Sequence, residues 1–198
     1  MYANLRGMKS KIPSINEVLT KKKPDIVVFL ETHHVGKSFS RLPGYSKVAY
    51  NNRKKSKGGG MMIAIADNNQ LNYVTTSINE ENEMMWVIVK GNQWKFRIGI
   101  VYGKQETQED EESLDQYYYE LEKEYATESE EPTLLIGDFN AHIGNDNEGI
   151  QGNHSKVNRN GINLRSLVKR RNLTIVNKLN ITKGKWTREE KASKSIID

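Results

Sequence analysis

The chain has 198 residues, 36% of them hydrophobic and 28% charged, with a formal charge of +5 and no cysteine. That length suits one domain able to bury a core, and the composition is that of a globular protein and not of a disordered one. No run is long enough to span a membrane, the N-terminus lacks the apolar stretch of a secretory signal, and the lack of thiols excludes disulfides and thiolate metal sites.

In chain order, Pro13 with Ile15, Val18 and Leu19 predicts a helix, and Pro24 stops it ahead of a buried strand in "DIVVFLET", from Asp25. "GGGMMIAIA", Gly58 to Ala66, predicts turn glycines leading into a strand; it lacks the Lys-Ser/Thr of a phosphate-binding loop and opens no helix. "MMWVIVKGNQWKFRIGIVYG", Met84 to Gly103, divides at Gly91-Asn92 into a hairpin. Leu114, Tyr117, Tyr118, Leu121 and Tyr125 recur at helical intervals, so these tyrosines read as core and not as a stacking platform. "PTLLIGDFN" predicts a buried strand, followed by a loop rich in Gly, Asn and Asp. "NGINLRSLVKRRN" then predicts a helix and "LTIVN" a further strand. The loop from Asn145 to Asn158 has Asn and Asp spacing that hints at calcium, but no bidentate Glu at the distance a calcium loop needs. Strands alternating with helices, with hairpins between, predict mixed sheet layered with helices.

Charge is unevenly placed. Between Glu106 and Glu131 stand 12 acidic residues and one Lys, a net of −11, which leaves +16 on the remainder. Clusters at Lys21 to Lys23, at Arg53, Lys54, Lys55 and Lys57, and at Lys169 to Arg171 read either as a polyanion-binding surface or as solvated turns and helix faces. Arg53 and Lys55 stand in a loop suited to contacting a DNA backbone, with affinity that falls as salt rises. Without thiols, any metal must be held by oxygen or imidazole, which favours a hard ion such as Mg²⁺ or Mn²⁺.

Polar residues gather at strand ends: Asn4, Glu31, Tyr102, and Asp138 with Asn140. Asp and Asn disfavour strands, so their place in "LLIGDFN" calls for a reason. Each residue alone reads equally as a turn or a solvated end; side-by-side strands would bring them to one rim as a site.

"NLRGMKSK" with Asn4, "PDIVVFLETH" with Glu31, "GGGMMIAI", "IGIVYG" with Tyr102, "LLIGDFNAHIG", "NGINLRSLVKRRNLTIVN" and "KWTR…SIID" with Thr187 and Asp198 follow one another across the chain. This series resembles the endonuclease/exonuclease/phosphatase superfamily, and within it the endonuclease domain of non-LTR retrotransposons, related to apurinic/apyrimidinic endonucleases. The resemblance implies a DNase I-like α/β (α+β) fold, a four-layer sandwich of two mixed β-sheets flanked by helices. Residues 1–198 would form a single such domain, lacking most of the first strand and the C-terminal closing strands. It implies that Glu31 and Asn4 hold Mg²⁺ or Mn²⁺, and that Asp138 orients or deprotonates the attacking water. Asn140 would bond the phosphate or a neighbouring catalytic group, Tyr102 would donate to the scissile phosphate, and Thr187 would contact DNA. The expected product is a nick with a free 3′-hydroxyl, which primes a reverse transcriptase continuous with this chain, in the nucleus or cytoplasm and not outside the cell.

Asp198 matches an element whose Asp orients a histidine from a later "DH" pair; none of His33, His34, His142 and His154 stands in that position. Without that histidine, turnover lowered by orders of magnitude is expected, and the missing edge and closing strands predict marginal stability for this segment. Arg6 stands where the repair enzymes carry an Asp, which favours the retrotransposon branch. Two other readings stay open: a phosphodiesterase or phosphatase of small substrates on the same fold, and an inactive descendant that binds nucleic acid or protein.

Overall fold

The computed structural model describes residues 1–54, 58–68, 70–106, 109–127, 131–144, 157–178, 188–190 and 193–195. They fall into two units, residues 1–102 with 128–137 and residues 103–127 with 138–198. Among the described residues no helix is long and apolar enough to cross a membrane.

In the first unit, β1 (Tyr2–Asn4) leads through a 3-10 turn to α1 (Ile12–Lys22), with Pro13 in its first turn where a missing N–H costs nothing. Ile15 and Leu19, four residues apart, are its buried stripe. Lys23 ends the helix in a left-handed conformation, its N–H donating to Leu19 O at 2.8 Å. β2 (Ile26–Leu30), β3 (Lys47–Asn51) and β4 (Met61–Ile65) follow, and the sheet order is β1-β2-β4-β3. β1 runs parallel to β2, while β4 is antiparallel to both β2 and β3.

The second sheet is ordered β5-β6-β7-β8, from β5 (Asn72–Asn79), β6 (Met84–Lys90), β7 (Lys95–Tyr102) and β8 (Thr133–Asp138). β5, β6 and β7 are antiparallel, and the β6–β7 hairpin turns where Gly91 N–H donates to Trp94 O. Arg97 N–H donates to Pro132 O and Gly103 N–H to Asp138 O, so like ends of β7 and β8 lie together and both sheets are mixed. β4 is buried at every position because both of its faces are covered. Val28, Leu30, Met61, Ile63 and Ile65 share one core with Met85, Val87, Val89, Ile98 and Ile100. Their neighbours Val27, Phe29, Met62 and Ala64 point the other way, onto Ile15 and Leu19 of α1. The result is an α/β sandwich: two mixed sheets with flanking helices.

In the second unit, α2 (Glu111–Ala126) starts at Asp110, whose carboxylate accepts the Ser113 N–H, and it buries Leu114, Tyr117, Tyr118 and Leu121 as the periodicity requires. α3 (Arg159–Arg170) starts at Asn158, which caps the Gly161 N–H. The two helices are locked by charge. Arg159 grips Asp115 with two nitrogens, Asn163 adds a bond at 2.8 Å, and Arg170 and Arg171 both bind Glu122. The acidic and basic runs of the sequence thus partly neutralise each other here.

"LTIVN" is not a strand. Asn172 is left-handed at φ 50° and Leu173 N–H bonds back to Val168 O, so the start of the run closes α3, and Val176–Lys178 form a 3-10 turn. β3 and β5 arise where no strand was expected. Finally, β9 (Arg188–Glu190) and β10 (Ser193–Ser195) pair antiparallel as a separate two-stranded sheet.

Two outcomes follow. Ile63→Ala, in the core shared by the two sheets, should lower unfolding free energy by about 2–4 kcal/mol in urea, whereas Ile78→Ala on the exposed face of β5 should cost less than about 1 kcal/mol. The Arg159 and Asn163 hydrogen bonds lower the Asp115 pKa to about 2, and Arg170 lowers that of Glu122. Folded values below the unfolded ones give stability that is complete above about pH 5 and lost as pH falls toward 2. An Asp115→Asn, Glu122→Gln double variant should therefore flatten the fall in thermal midpoint across that window; an unchanged slope contradicts the lock.

Candidate active site

The parallel register of β1 on β2 sets Asn4 beside Leu30, the residue before Glu31. Asn4 Nδ2 donates to Glu31 Oε1 at 2.7 Å, and the Tyr102 hydroxyl at the end of β7 donates to the same oxygen at 3.2 Å. Glu31 Oε2 faces the His33 ring, with Nε2 3.5 Å away. Three of the expected residues, far apart in sequence, thus meet on one carboxylate.

The backbone under that carboxylate is strained. Glu31 has φ 50° and His33 φ 55°, left-handed values that cost a non-glycine residue about 1–2 kcal/mol each. They are held by straps on both sides. Gly7 and Met8 N–H groups donate to the carbonyls of Glu31 and Thr32, while Thr32 and His33 N–H groups donate to the carbonyls of Gly60 and Gly59. Gly58, Gly59 and Gly60 all have positive φ, which bears out the turn reading of the glycine run.

Glu83 fixes this loop, although in the sequence it reads only as an ordinary turn acid. Its carboxylate accepts Gly60 N–H at 3.1 Å and both Arg53 Nε and Nη2, at 3.1 and 2.6 Å. Its carbonyl accepts the Tyr102 N–H at 3.1 Å. One residue therefore aligns the strand carrying Tyr102 with the loop that straps Glu31. Arg53, expected to touch DNA, is committed to Glu83, and that hydrogen bond is the main cause of its raised pKa. Lys55, Thr187 and Asp198 lie outside the described residues.

In the second unit, Asp138 is 6% exposed and its Oδ1 accepts the Asn140 N–H at 3.0 Å. Asn140 is left-handed at φ 48°, a conformation Asn tolerates better than most residues, and its Nδ2 donates to Gly103 O at 2.6 Å. That bond fixes which way the amide faces. Gly137 allows β8 to approach β7: a Cβ there would lie 1.9 Å from Val101 O.

The turn rests on the start of α3. Asn158 Oδ1 accepts His142 N–H at 2.7 Å and its Nδ2 donates to Asn140 O at 3.0 Å. Fully buried Asn160 donates to Lys104 O and to Asn140 O. His142 contributes its backbone to this brace. Burial, then the nearby Asp138, pushes the Tyr118 phenol pKa upward, so it stays protonated.

Comparison with known proteins agrees with this architecture. The sequence profile of the endonuclease/exonuclease/phosphatase family matches residues 1–169. The chain belongs to that family. No curated protein sequence matches it. Among solved structures, the endonuclease domain of TRAS1, a telomere-specific non-LTR retrotransposon, is similar over 99% of this chain and 80% of its own, at 15% identity and a TM-score of 0.67. An AP endonuclease from Archaeoglobus fulgidus is similar over 85% of this chain and 68% of its own, at 16% identity and a TM-score of 0.60. The AP endonuclease of Leishmania major gives 15% identity and a TM-score of 0.56 over 85% of this chain, which spans 65% of that enzyme. At such identities the likeness is one of fold.

A family member of this kind is expected to use a divalent ion, and the donor set allows one. Among the described residues no three His, Asp or Glu side chains form a metal cage. One half-buried carboxylate with an amide beside it instead fits a hard ion that keeps most of its positions for water and phosphate.

Gly161→Ala tests the brace, because a Cβ there would stand 2.0 Å from His142 O. The substitution should cost about 1–3 kcal/mol in urea unfolding and speed amide exchange at Asn140. Stability equal to the parent's would show that α3 does not support the turn.

Proposed function

We propose that the chain is the DNA endonuclease domain of a retrotransposon-type protein, hydrolysing one phosphodiester to leave a 3′-hydroxyl. The observation that carries this reading is the convergence of Asn4 and Tyr102 on the Glu31 carboxylate. The likeness to the TRAS1 domain over 99% of the chain, against 85% for the two AP endonucleases, supports the retrotransposon branch.

Glu31 and Asn4 would hold Mg²⁺ or Mn²⁺, which supplies positive charge to the phosphate and the departing oxygen. Asp138 orients a water molecule and takes its proton as the water oxygen bonds to phosphorus. The P–O3′ bond breaks, and the 3′ oxygen leaves as a hydroxyl after gaining a proton from solvent. Asn140 is set by Gly103 to offer its remaining amide N–H to a phosphate oxygen. The Tyr102 hydroxyl, which donates to Glu31 Oε1 here, would turn its single hydrogen to the charge that grows on the phosphate oxygens. Thr187 and Lys55 would contact the DNA backbone, and Asp198 would orient a histidine that touches the phosphate. The 3′ end would prime a reverse transcriptase on the same polypeptide.

Supercoiled plasmid should be converted to nicked circle with Mg²⁺ and not with EDTA, and the nick should be extended by a polymerase without phosphatase treatment. Glu31→Gln and Asp138→Asn should each slow nicking by about 10²-fold or more. Nicking that survives EDTA or both substitutions overturns the assignment.

A further inference from the structure

We propose that His33 is a nitrogen ligand of the ion pocket at Glu31, so that the pocket favours a first-row transition ion such as Mn²⁺ over Mg²⁺. The inference rests on the reading of Glu31 as the metal-holding residue. Glu31 Oε1 already accepts from Asn4 and Tyr102, which leaves Oε2 as the oxygen turned to an ion. The group it faces is His33 Nε2, at 3.5 Å. That distance is at the limit for a hydrogen bond and close enough for both atoms to reach a single ion.

The backbone supports the same conclusion. Glu31 and His33 are both left-handed, on either side of buried Thr32, and each is strapped by neighbouring backbone. With the backbone held so, the two side chains face each other, and the His33 side chain is 36% exposed and open to a ligand from solvent. The ring lies against Gly7, where a Cβ would come within 3.3 Å of Nδ1. The adjacent His34 differs in each respect: it is buried, its Nε2 accepts the Ser40 N–H, and burial followed by Lys9 lowers its pKa. An imidazole beside a carboxylate shifts preference toward transition ions, because Mg²⁺ strongly prefers oxygen.

The test uses Mn²⁺ on the whole chain, read by pulsed electron paramagnetic resonance for directly bound nitrogen and by the free-ion signal for affinity. His33→Asn is the variant of choice, because Asn accepts the left-handed backbone. The parent should show a nitrogen coupling that disappears in His33→Asn. Mn²⁺ affinity should fall roughly tenfold or more, while Mg²⁺ affinity, read by displacement, changes less than about threefold. A parent without the coupling, or a coupling that persists in His33→Asn, overturns the role of His33. Glu31→Gln separates the two readings: if it binds Mn²⁺ as the parent does, the metal assignment under the proposed function fails; if it alone loses binding, only the His33 inference fails.

Discussion

A carboxylate at the end of a central strand, on backbone bent into a left-handed turn, is the constraint around which the first unit is arranged. Glu31 could relax into extended backbone if its straps were removed. The parallel pairing of β1 on β2 brings Asn4 to it and carries the chain on to Gly7 and Met8, whose N–H groups hold one side of the bend. The glycine loop before β4 holds the other side, and Glu83 holds that loop. The strain is offset by many backbone bonds acting together, so the carboxylate is positioned before any ligand arrives.

Charge is organised by the same economy of partners. The sequence separates a strongly acidic run from basic clusters, yet folding joins several of them. Arg170 and Arg171 share Glu122, Arg159 binds Asp115, and Arg53 binds Glu83. Exposed pairs such as Lys54 with Glu80 contribute little to stability. A polyanion-binding face must therefore draw on cations that these pairs leave over, and the half-exposed Arg53 serves the loop that straps Glu31 before it serves any ligand.

Most elements were legible because their pattern matched one period. The continuous apolar runs at β2 and β4, the helical spacing of the α2 tyrosines and the glycine-marked β6–β7 hairpin all reflect burial that the sequence states directly. β3 and β5 were not, since "KVAYN" is short and "NYVTTSIN" is a half-exposed edge of mixed polarity. "LTIVN" misled because β-branched composition reports fit to a sheet surface, and its first residue is used instead to close α3. At the site, the strand-end residues Asn4, Glu31 and Tyr102 were readable, and their meeting required the register. Glu83, Asn158 and Asn160 were not readable in their roles, because each acts on backbone groups that only the fold brings near.

The most direct test of the account is a crystal structure of the chain with Mn²⁺ and a DNA duplex carrying a cleavage-resistant phosphorothioate. The ion is expected on Glu31, with the Tyr102 hydroxyl within hydrogen-bond reach of the scissile phosphate. An ion bound away from Glu31, or a phosphodiester out of reach of Tyr102, would contradict it.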